Sequence, residues 1–310
     1  MSAAEAPSGA GRAVGAAFAN PYAMLTLAPL LWAGNAVAGK LATADWSPFA
    51  LTALRWVLAV LLLWPLARRP MRRDWPVVRA HLALLVALGA VGMCLFNLLM
   101  YLALETTSAI NVSIIQASMP GLIMVANFWV FRQRVRALQL VGLALSIAGV
   151  IVVTTGGDPR VLLGAGLVVG DAWMLLACVF YAGYTFALRW RPTIHWLSYM
   201  WVIAASASAM ALPFALWEIG ERGLPAPSAT GWAVLAYVVV FPTVVSQIAW
   251  ARGVELVGSN RAGPFFNLIP IFGAGLAVAL LGERFGWHHA AGLALVLGGI
   301  MLAERAASAR

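Results

Sequence analysis

The 310-residue chain is 63% hydrophobic and 10% charged, whereas a soluble domain is about 45–50% apolar and about 25% charged. This composition excludes a soluble globular domain and predicts an integral membrane protein. Its net charge of +9 comes from arginines beside apolar runs, so it predicts contact with an anionic lipid bilayer and no nucleic-acid partner.

Residues 1–22 are rich in Ala, Gly and Ser and lack the apolar core of a cleavable signal, so we predict a disordered cytoplasmic tail. Apolar runs of about 20 residues follow, the length that a helix needs to cross the hydrocarbon. The alternation of a membrane β-barrel is absent, so the fold is predicted to be all-α. We predict ten transmembrane helices at 23–43, 48–66, 79–103, 108–131, 136–154, 166–188, 195–217, 229–251, 259–281 and 286–303, then a short cytoplasmic tail at 305–310.

The sequence contains an internal repeat. Residues 99–153 recur as 249–303 at an offset of 150, and a looser correspondence at an offset of 149 pairs Trp32 with Tyr181. Because five helices per repeat reverse the side from which the chain enters the membrane, we expect inverted repeats around a central cavity, as in transporters. The predicted repeats are 23–154 and 166–304, joined by an outer loop at 155–165.

Arginine placement orients these predicted helices. If both termini are cytoplasmic, fifteen arginines fall on the inner side and three, Arg160, Arg222 and Arg284, on the outer side. Cytoplasmic segments are enriched in positive residues. We therefore predict a multi-pass protein of the bacterial inner membrane with both termini in the cytoplasm.

A family resemblance rests on the order and spacing of seven segments: LLWAGNAVAGK (30–40), SPFALTALRW (47–56), YLALETTSA (101–109), QLVGLALSIAG (139–149), GDAWMLLACVFYAGYTFALRWR (170–191), NLIPIFGAGLAVALLGER (267–284) and GLALVLGG (292–299). The chain resembles the EamA-type transporters of the drug/metabolite transporter superfamily, and among them the YddG-like bacterial exporters of aromatic amino acids. The resemblance implies a basket of ten helices with a central cavity. One departure is Arg132-Gln133-Arg134, where the family usually has a Gly-Glu-Arg like that at 282–284.

Two basic residues lie within predicted helices. Lys40 is the only lysine and sits near the outer end of the first helix, and Arg55 lies about 10 Å into the second. Either cation is a candidate to attract a substrate carboxylate. The alternatives are that Lys40 reaches back to the outer interface and that Arg55 binds helix carbonyls as a structural tie.

Polar and aromatic side chains inside the predicted helices complete the candidate substrate site. Such a set suits a zwitterion with a ring, because rings stack, amides orient, and an ammonium can lie over an aromatic face. The alternatives are an interfacial aromatic belt and helix-to-helix hydrogen bonds. The candidates are Trp32, Asn35, Asn97, Tyr101, Asn111, Ser118, Tyr181, Tyr184, Gln247, Trp250 and Asn267.

Pro120 and Pro270 occupy matching positions in the two repeats. A proline frees a backbone carbonyl and can kink its helix. Paired interruptions of this kind point to a transport site, although a purely structural kink is the alternative.

No acidic residue falls at the middle of a predicted helix. Intramembrane carboxylates usually persist for function. Their absence favours a carrier driven by its substrate gradient. The alternative is that Glu105 or Glu255 couples protons from a cavity mouth. The same absence disfavours the main alternative function, a multidrug or organic-cation antiporter.

We therefore expect an exporter of small metabolites, most of all aromatic amino acids, that works by alternating access. A membrane enzyme or scaffold is the third class, but we find no nucleophile motif and no metal-ligand pattern. The predicted protein is a monomer without cofactor or metal. Cys94 and Cys178 fall inside helices and are expected to be packing residues.

Overall fold

A computed structural model describes residues 20–123, 125, 137–158, 160, 168–223, 226–258 and 262–308. In these parts the chain is helical and forms no strand, as the all-α prediction requires. The predictions made for most of the N-terminal tail, for Arg132-Gln133-Arg134 and for most of the loop at 155–165 lie outside the described residues.

The helices follow the predicted apolar runs closely, and α2 continues well beyond its predicted end at residue 66. Their bounds are α1 Pro21–Ala42, α2 Pro48–Ala80, α3 Leu82–Thr106, α4 Ala109–Ile123, α5 Ala137–Thr154, α6 Val169–Ala187, α7 Trp196–Arg222, α8 Ala229–Val257, α9 Leu268–Leu281 and α10 Trp287–Ser308. A 3₁₀ turn, Gly263–Asn267, leads into α9.

Polar caps set the starts of several helices. The side chain of Asn20 accepts hydrogen bonds from the first turn of α1, and Ser47, Ser108 and Ser228 do the same for α2, α4 and α8. A side-chain oxygen at this position satisfies backbone N–H groups that the helix itself cannot pair. Gly282 ends α9 at a φ of 66°, a left-handed conformation that glycine adopts without strain.

The surface suits a lipid environment. Leu61, Leu216, Trp217, Leu280 and Trp287 are each more than 60% exposed, and large apolar side chains exposed in such number suit contact with lipid. By length and composition, α2, α3, α5, α6, α7 and α8 can each cross a membrane, and α4, α9 and α10 contain shorter apolar stretches. The number of ten crossings stays a prediction.

Helices α5 and α10 occupy equivalent places in the two repeats and cross each other antiparallel. A Cβ added at Gly142 would lie 2.4 Å from the carbonyl oxygen of Gly299, and a Cβ at Gly149 would lie 2.7 Å from that of Gly292. Gly292 and Gly299 are the residues 150 positions after Gly142 and Gly149. The same patch therefore packs on itself, as expected around a local two-fold axis.

Helices α2 and α7 form a second antiparallel pair of equivalents. The ring centroids of Phe49 and Phe214 lie 6.0 Å apart at one end of the pair, and those of Trp64 and Trp201 lie 5.0 Å apart farther along. Contacts that pair early residues of one helix with late residues of the other require opposite directions. Equivalent helices of the two repeats thus run in opposite senses in both pairs.

The third equivalent pair, α3 and α8, shares an irregularity. Each contains a π-helical turn, Ala90–Leu95 in α3 and Phe241–Val245 in α8. These turns lie about 150 residues apart, as the repeat predicts. π-turns inside α-helices are rare and often lie at functional sites.

Candidate functional site

A cavity of about 530 Å³ lies between the two repeats, within the size range of small-molecule sites. It extends from the middle of the bundle to the end where α6 finishes and α7 begins, which we call the cavity end. Leu188, Met200 and Phe266 line it there. The predicted site residues that line it are Trp32, Asn35, Arg55, Asn97, Tyr181, Tyr184, Gln247, Trp250 and Asn267.

Arg55 lies at the deep end of this cavity and is 4% exposed. Its Nη1 donates to Asn35 Oδ1 at 2.9 Å, to Asn97 Oδ1 at 2.7 Å and to the Tyr101 hydroxyl at 2.7 Å. Its Nε donates to Thr243 Oγ1 at 3.0 Å. We call these five residues the Arg55 cluster. Every partner in it is neutral, so the guanidinium keeps its full positive charge.

The π-turns position two members of the Arg55 cluster. Thr243 lies within the α8 turn, and its hydroxyl donates to the carbonyl of Val238 at 2.7 Å. Asn97 follows the α3 turn, and its Nδ2 donates to the carbonyl of Met93 at 2.7 Å. Because a π-turn offsets the regular hydrogen bonds, the two side chains can satisfy nearby carbonyls and still present oxygen atoms to Arg55.

Two donors beside the cavity remain without a protein acceptor among the described residues. None of the hydrogen bonds of Arg55 involves Nη2, and the indole N–H of the neighbouring Trp56 is buried without a partner. The guanidinium carbon lies 5.2 Å from the centroid of the Trp56 ring. An anionic group of a ligand would meet a positive charge with free N–H bonds at this point.

Aromatic side chains form the walls. Trp32, Trp250 and Phe266 make one group, with ring centroids 4.5 to 5.5 Å apart. On another wall Tyr181 packs against Phe96 at 4.9 Å and against Tyr184 at 5.3 Å. Flat apolar surfaces of this size favour a ligand that carries a ring.

Arg55 is the only charged residue among the described residues that line the cavity. The other strongly polar groups are amides, since Gln116, Gln247 and Asn267 line it together with the asparagines of the Arg55 cluster. Amide oxygens can accept hydrogen bonds from an ammonium group. The cavity therefore offers a fixed cation for an acid and neutral acceptors for an amine.

Both predicted kink prolines also line the cavity. The α4 backbone tightens to i→i+3 hydrogen bonds at Ala117 and Ser118, just before Pro120, and the 3₁₀ turn before α9 ends at Asn267, just before Pro270. The irregular turns occupy matching positions of the repeat. Each brings an amide side chain, Gln116 or Asn267, to the cavity wall.

Four predicted site residues do not line the cavity. Tyr101 is fully buried behind Arg55 and supports it, and Ser118 donates to the carbonyl of Ile115 within its own helix at 2.7 Å. Lys40 donates to the carbonyls of Leu104 and Thr107 at 2.7 and 2.8 Å. Lys40 is thus held by the end of α3 and does not line the cavity, and its role as the substrate cation stays a prediction.

Asn111 is the fourth, and it belongs to a second buried polar group at the opposite end of the bundle, which we call the closed end. Its Nδ2 donates to both carboxylate oxygens of Asp171 at 3.3 Å, and its Oδ1 lies 3.2 Å from Nε2 of His289. The hydroxyl of Thr107 also donates to Asp171. These four residues are the Asp171 cluster.

The sequence interpretation placed Asp171 at a helix end and did not count it as an intramembrane charge. In the structure Asp171 is 3% exposed and forms no ion pair within the described residues. Thr243, Gln116, Trp56, Phe96 and Phe266 were also missed as cavity or cluster residues. The π-turn that positions Thr243 has no recognisable sequence pattern. The neighbouring Pro242 was the one sign in the sequence that the helix is irregular there.

Comparison with known proteins places both repeats in one family. A model described as the EamA-like transporter family matches residues 20–155 and again residues 168–304. One solved crystal structure aligns with a TM-score of 0.62 over 94% of this chain and 99% of its own, at 21% identity. At that identity the likeness shows the fold alone.

Curated relatives carry transporter names. Two are from Bacillus subtilis (strain 168): the uncharacterized transporter YetK, 25% identical over 91% of this chain and 86% of its own, and the uncharacterized transporter YdeK, 29% identical over 83% and 88%. An uncharacterized transporter of Archaeoglobus fulgidus is 25% identical over 91% and 96%. These names specify transport and give no substrate.

Proposed function

Since this chain belongs to the EamA-like transporter family, and so is a multi-pass membrane transporter, we propose that it exports amino acids, with a preference for aromatic ones. The single observation that carries the proposal is the guanidinium of Arg55 at the deep end of an aromatic cavity, where it has only neutral partners and a free Nη2 among the described residues. An α-carboxylate would bind Nη2 of Arg55, and the side chain would lie along the walls.

The chemistry of the cavity favours a zwitterion over the alternative, an organic cation. A cationic drug would be repelled by Arg55 and would meet no carboxylate among the described lining residues. An amino acid places its carboxylate on Arg55 and its ammonium near Gln247 or Asn267, or over an indole ring. Its ring fits against Trp32, Trp250 or Phe266.

Transport would proceed by alternating access between inverted repeats. The antiparallel packing of α5 on α10 and of α2 on α7 supports inversion. In the ten-span topology with cytoplasmic termini, the cavity end faces the cytoplasm, because Arg68, Arg69, Arg189 and Arg191 flank it. The protein would then be a monomer of the bacterial inner membrane that loads substrate from the cytoplasm.

Single cysteines test this topology in a background in which buried Cys94 and Cys178 are replaced by alanine. A cysteine in the segment 67–76 should react with an impermeant maleimide only from the cytoplasmic side, and one in 155–162 only from the outside. Reaction of both from the same side contradicts the inversion.

Three ligands that differ by one group test the substrate class: phenylalanine, 3-phenylpropionate without the ammonium, and phenethylamine without the carboxylate. Each competes for counterflow of labelled phenylalanine in proteoliposomes. Charge-assisted hydrogen bonds contribute about 1.5–3 kcal/mol, so phenethylamine should compete at least about tenfold less well than phenylalanine. Alanine should also compete weakly because it lacks the ring.

The remaining possible results would indicate other functions. Strong competition by phenethylamine, or transport of a cationic dye, supports the organic-cation antiporter and contradicts our proposal. Equal competition by 3-phenylpropionate and phenylalanine would identify the substrates as organic acids, with the ammonium playing no part.

A further inference from the structure

We infer that Asp171, with Asn111 and His289, forms a proton-binding site that holds the closed end of the bundle shut and releases it on acidification. The inference rests on the proposed transport function, because it assigns to this cluster the control of access from the closed end. The ligand is a proton taken from, and returned to, the solution at that end.

The hydrogen-bond directions within the Asp171 cluster define its protonation state in the closed form. Nδ1 of His289 accepts from the backbone N–H of Gly286 at 3.0 Å, so the proton of a neutral His289 lies on Nε2 and is donated to Asn111 Oδ1. That fixes the amide of Asn111 with its NH₂ toward Asp171. With these directions both oxygens of Asp171 accept hydrogen bonds, the pattern that suits an ionised carboxylate.

The hydrogen bonds that Asp171 and His289 form with Thr107 and Asn111 join the two repeats, whereas Asn111 also donates to Thr107 within the first repeat at 3.3 Å. Thr107 and Asn111 belong to the first repeat, and Asp171 and His289 belong to the second. Gly170 permits the close approach of α6 to α3, since a Cβ there would lie 2.4 Å from the carbonyl oxygen of Ala103. Opening of this end by separation of the repeats must break these hydrogen bonds.

Among the described residues, no cation pairs with Asp171. Lys40 on α1 is committed to the carbonyls of Leu104 and Thr107, and Glu283 accepts from the backbone N–H groups of Ala109 and Ile110. The ring of His288 lies 4.0 Å from that of His289, centroid to centroid. Glu105 near the end of α3 and Arg284 after α9 are exposed.

The carboxylate is stabilised instead by neutral donors and by its place in the first turn of α6, where the helix N-terminus favours negative charge. Protonation of Asp171 puts a hydrogen on an oxygen that now faces the donors of Thr107 or Asn111. Protonation of His289 at Nδ1 likewise opposes the N–H of Gly286. Protonation of Asp171 removes an acceptor that joins the repeats, so acid weakens the link between them. Protonation of His289 removes the acceptor by which Gly286 orients its ring.

The sequence does not repeat the Asp, Thr and His of this cluster at the cavity end. At an offset of 149 or 150, the positions that match Asp171, Thr107 and His289 hold Tyr22, Val257 and Gln139. The repeat therefore relates the backbones of the two ends of the bundle, whereas the side chains at these positions differ. Protonation of this cluster should therefore act on the closed end only.

The test uses full-length protein in proteoliposomes, with labelled phenylalanine and pH set separately on each face. For the wild type we expect the initial counterflow rate to rise several-fold when the pH on the closed-end face falls, with no change in the final distribution of substrate. Asp171→Asn should transport at a rate independent of that pH. Glu283→Gln, which alters another carboxylate at the same end, should keep the wild-type response.

A second measurement follows the closed end without altering the cluster. Spin labels on Thr43→Cys and Arg284→Cys, in the background without native cysteines, report the distance between the two loops at this end. Acid should increase the population of longer distances, and Asp171→Asn should show that population at every pH.

The outcomes separate this inference from the proposed function. Phenylalanine counterflow without any pH response of rate or distance overturns the inference and leaves the function standing. A pH-dependent distance without phenylalanine counterflow supports the proton site and contradicts the proposed substrate. A pH response that survives in Asp171→Asn overturns the inference, because the titrating group then lies elsewhere.

Discussion

The Arg55 cluster and the Asp171 cluster each bury one charge among neutral partners, at different depths of the same bundle. Arg55 has three side-chain acceptors on Nη1 and one on Nε, and Asp171 has donors from Thr107 and Asn111. The clusters differ in their surroundings, because Arg55 borders a cavity and Asp171 is enclosed between helices. A buried charge beside a cavity can bind a ligand, whereas an enclosed one ties helices together.

Neutral partners make both roles possible. A buried charge without hydrogen bonds is costly, and a direct ion pair would neutralise it. Amide and hydroxyl groups satisfy its hydrogen bonds and leave its charge in place. Arg55 thus remains available to a carboxylate, and Asp171 remains available to a proton.

The largest effect is expected for Arg55→Gln, which removes the cation of the cavity. The loss of charge-assisted hydrogen bonds of about 1.5–3 kcal/mol should weaken phenylalanine binding about 10- to 150-fold. Competition by phenethylamine, a cation without a carboxylate, should not weaken and should strengthen, because Arg55 repels its ammonium group. The apparent affinities of both compounds in counterflow provide the measurement, and equal loss for both would show that Arg55 acts only on the fold.

Asn111→Ala should affect the other cluster. It removes the link between Asp171 and His289 and leaves a buried carboxylate with fewer donors, at a cost of about 1–3 kcal/mol in stability. The thermal unfolding midpoint should fall, while the apparent affinity for phenylalanine stays at the wild-type value. A changed affinity with an unchanged midpoint would place Asn111 in the substrate site and erase the distinction between the clusters.

A third change concerns the packing between repeats, away from both clusters. A Cβ at Gly299 would lie 2.4 Å from the carbonyl oxygen of Gly142, whereas a Cβ at Gly298 meets nothing within 4 Å. Gly299→Ala should therefore destabilise the protein by about 1–3 kcal/mol, and Gly298→Ala should be nearly neutral. Thermal unfolding of the matched pair is the measurement, and equal midpoints would contradict the close crossing of α5 and α10.

The smallest effect is expected for Trp32→Ala, since one stacked ring contributes about 0.5–1.5 kcal/mol. Phenylalanine transport should slow about 2- to 10-fold, with alanine transport much less affected. Trp217, which is 63% exposed on the lipid-facing surface, supplies the control Trp217→Ala. A similar loss for both variants would mean that Trp32 contributes general packing and does not contact the substrate.

Much of the helical framework could be predicted from sequence because its signals are local. Apolar runs and the offset of 150 are both visible in the printed chain, and the EamA-like family assignment is confirmed. Arg55 could also be singled out, since a charge inside an apolar run is unusual. Its transport role and the aromatic amino acid preference remain proposals.

The rest depended on three-dimensional contacts. Lys40 and Arg55 look equivalent in sequence, yet the end of α3 supplies carbonyls to Lys40 and side chains surround Arg55. The sequence position of Asp171 predicts an interfacial residue. In the structure, residues of α3, α4 and α10 enclose it. The position of a carboxylate near a predicted helix end does not show whether it is interfacial or buried.

The central claim is that the cavity beside Arg55 is the substrate site and opens toward the cytoplasm. Thr185 lines this cavity near the cavity end, so Thr185→Cys, in the background without native cysteines, tests it directly. We predict that an impermeant maleimide labels this cysteine from the cytoplasmic side and that phenylalanine slows the labelling in proportion to its occupancy. Labelling from the outside only, or labelling that phenylalanine does not affect, would contradict the account.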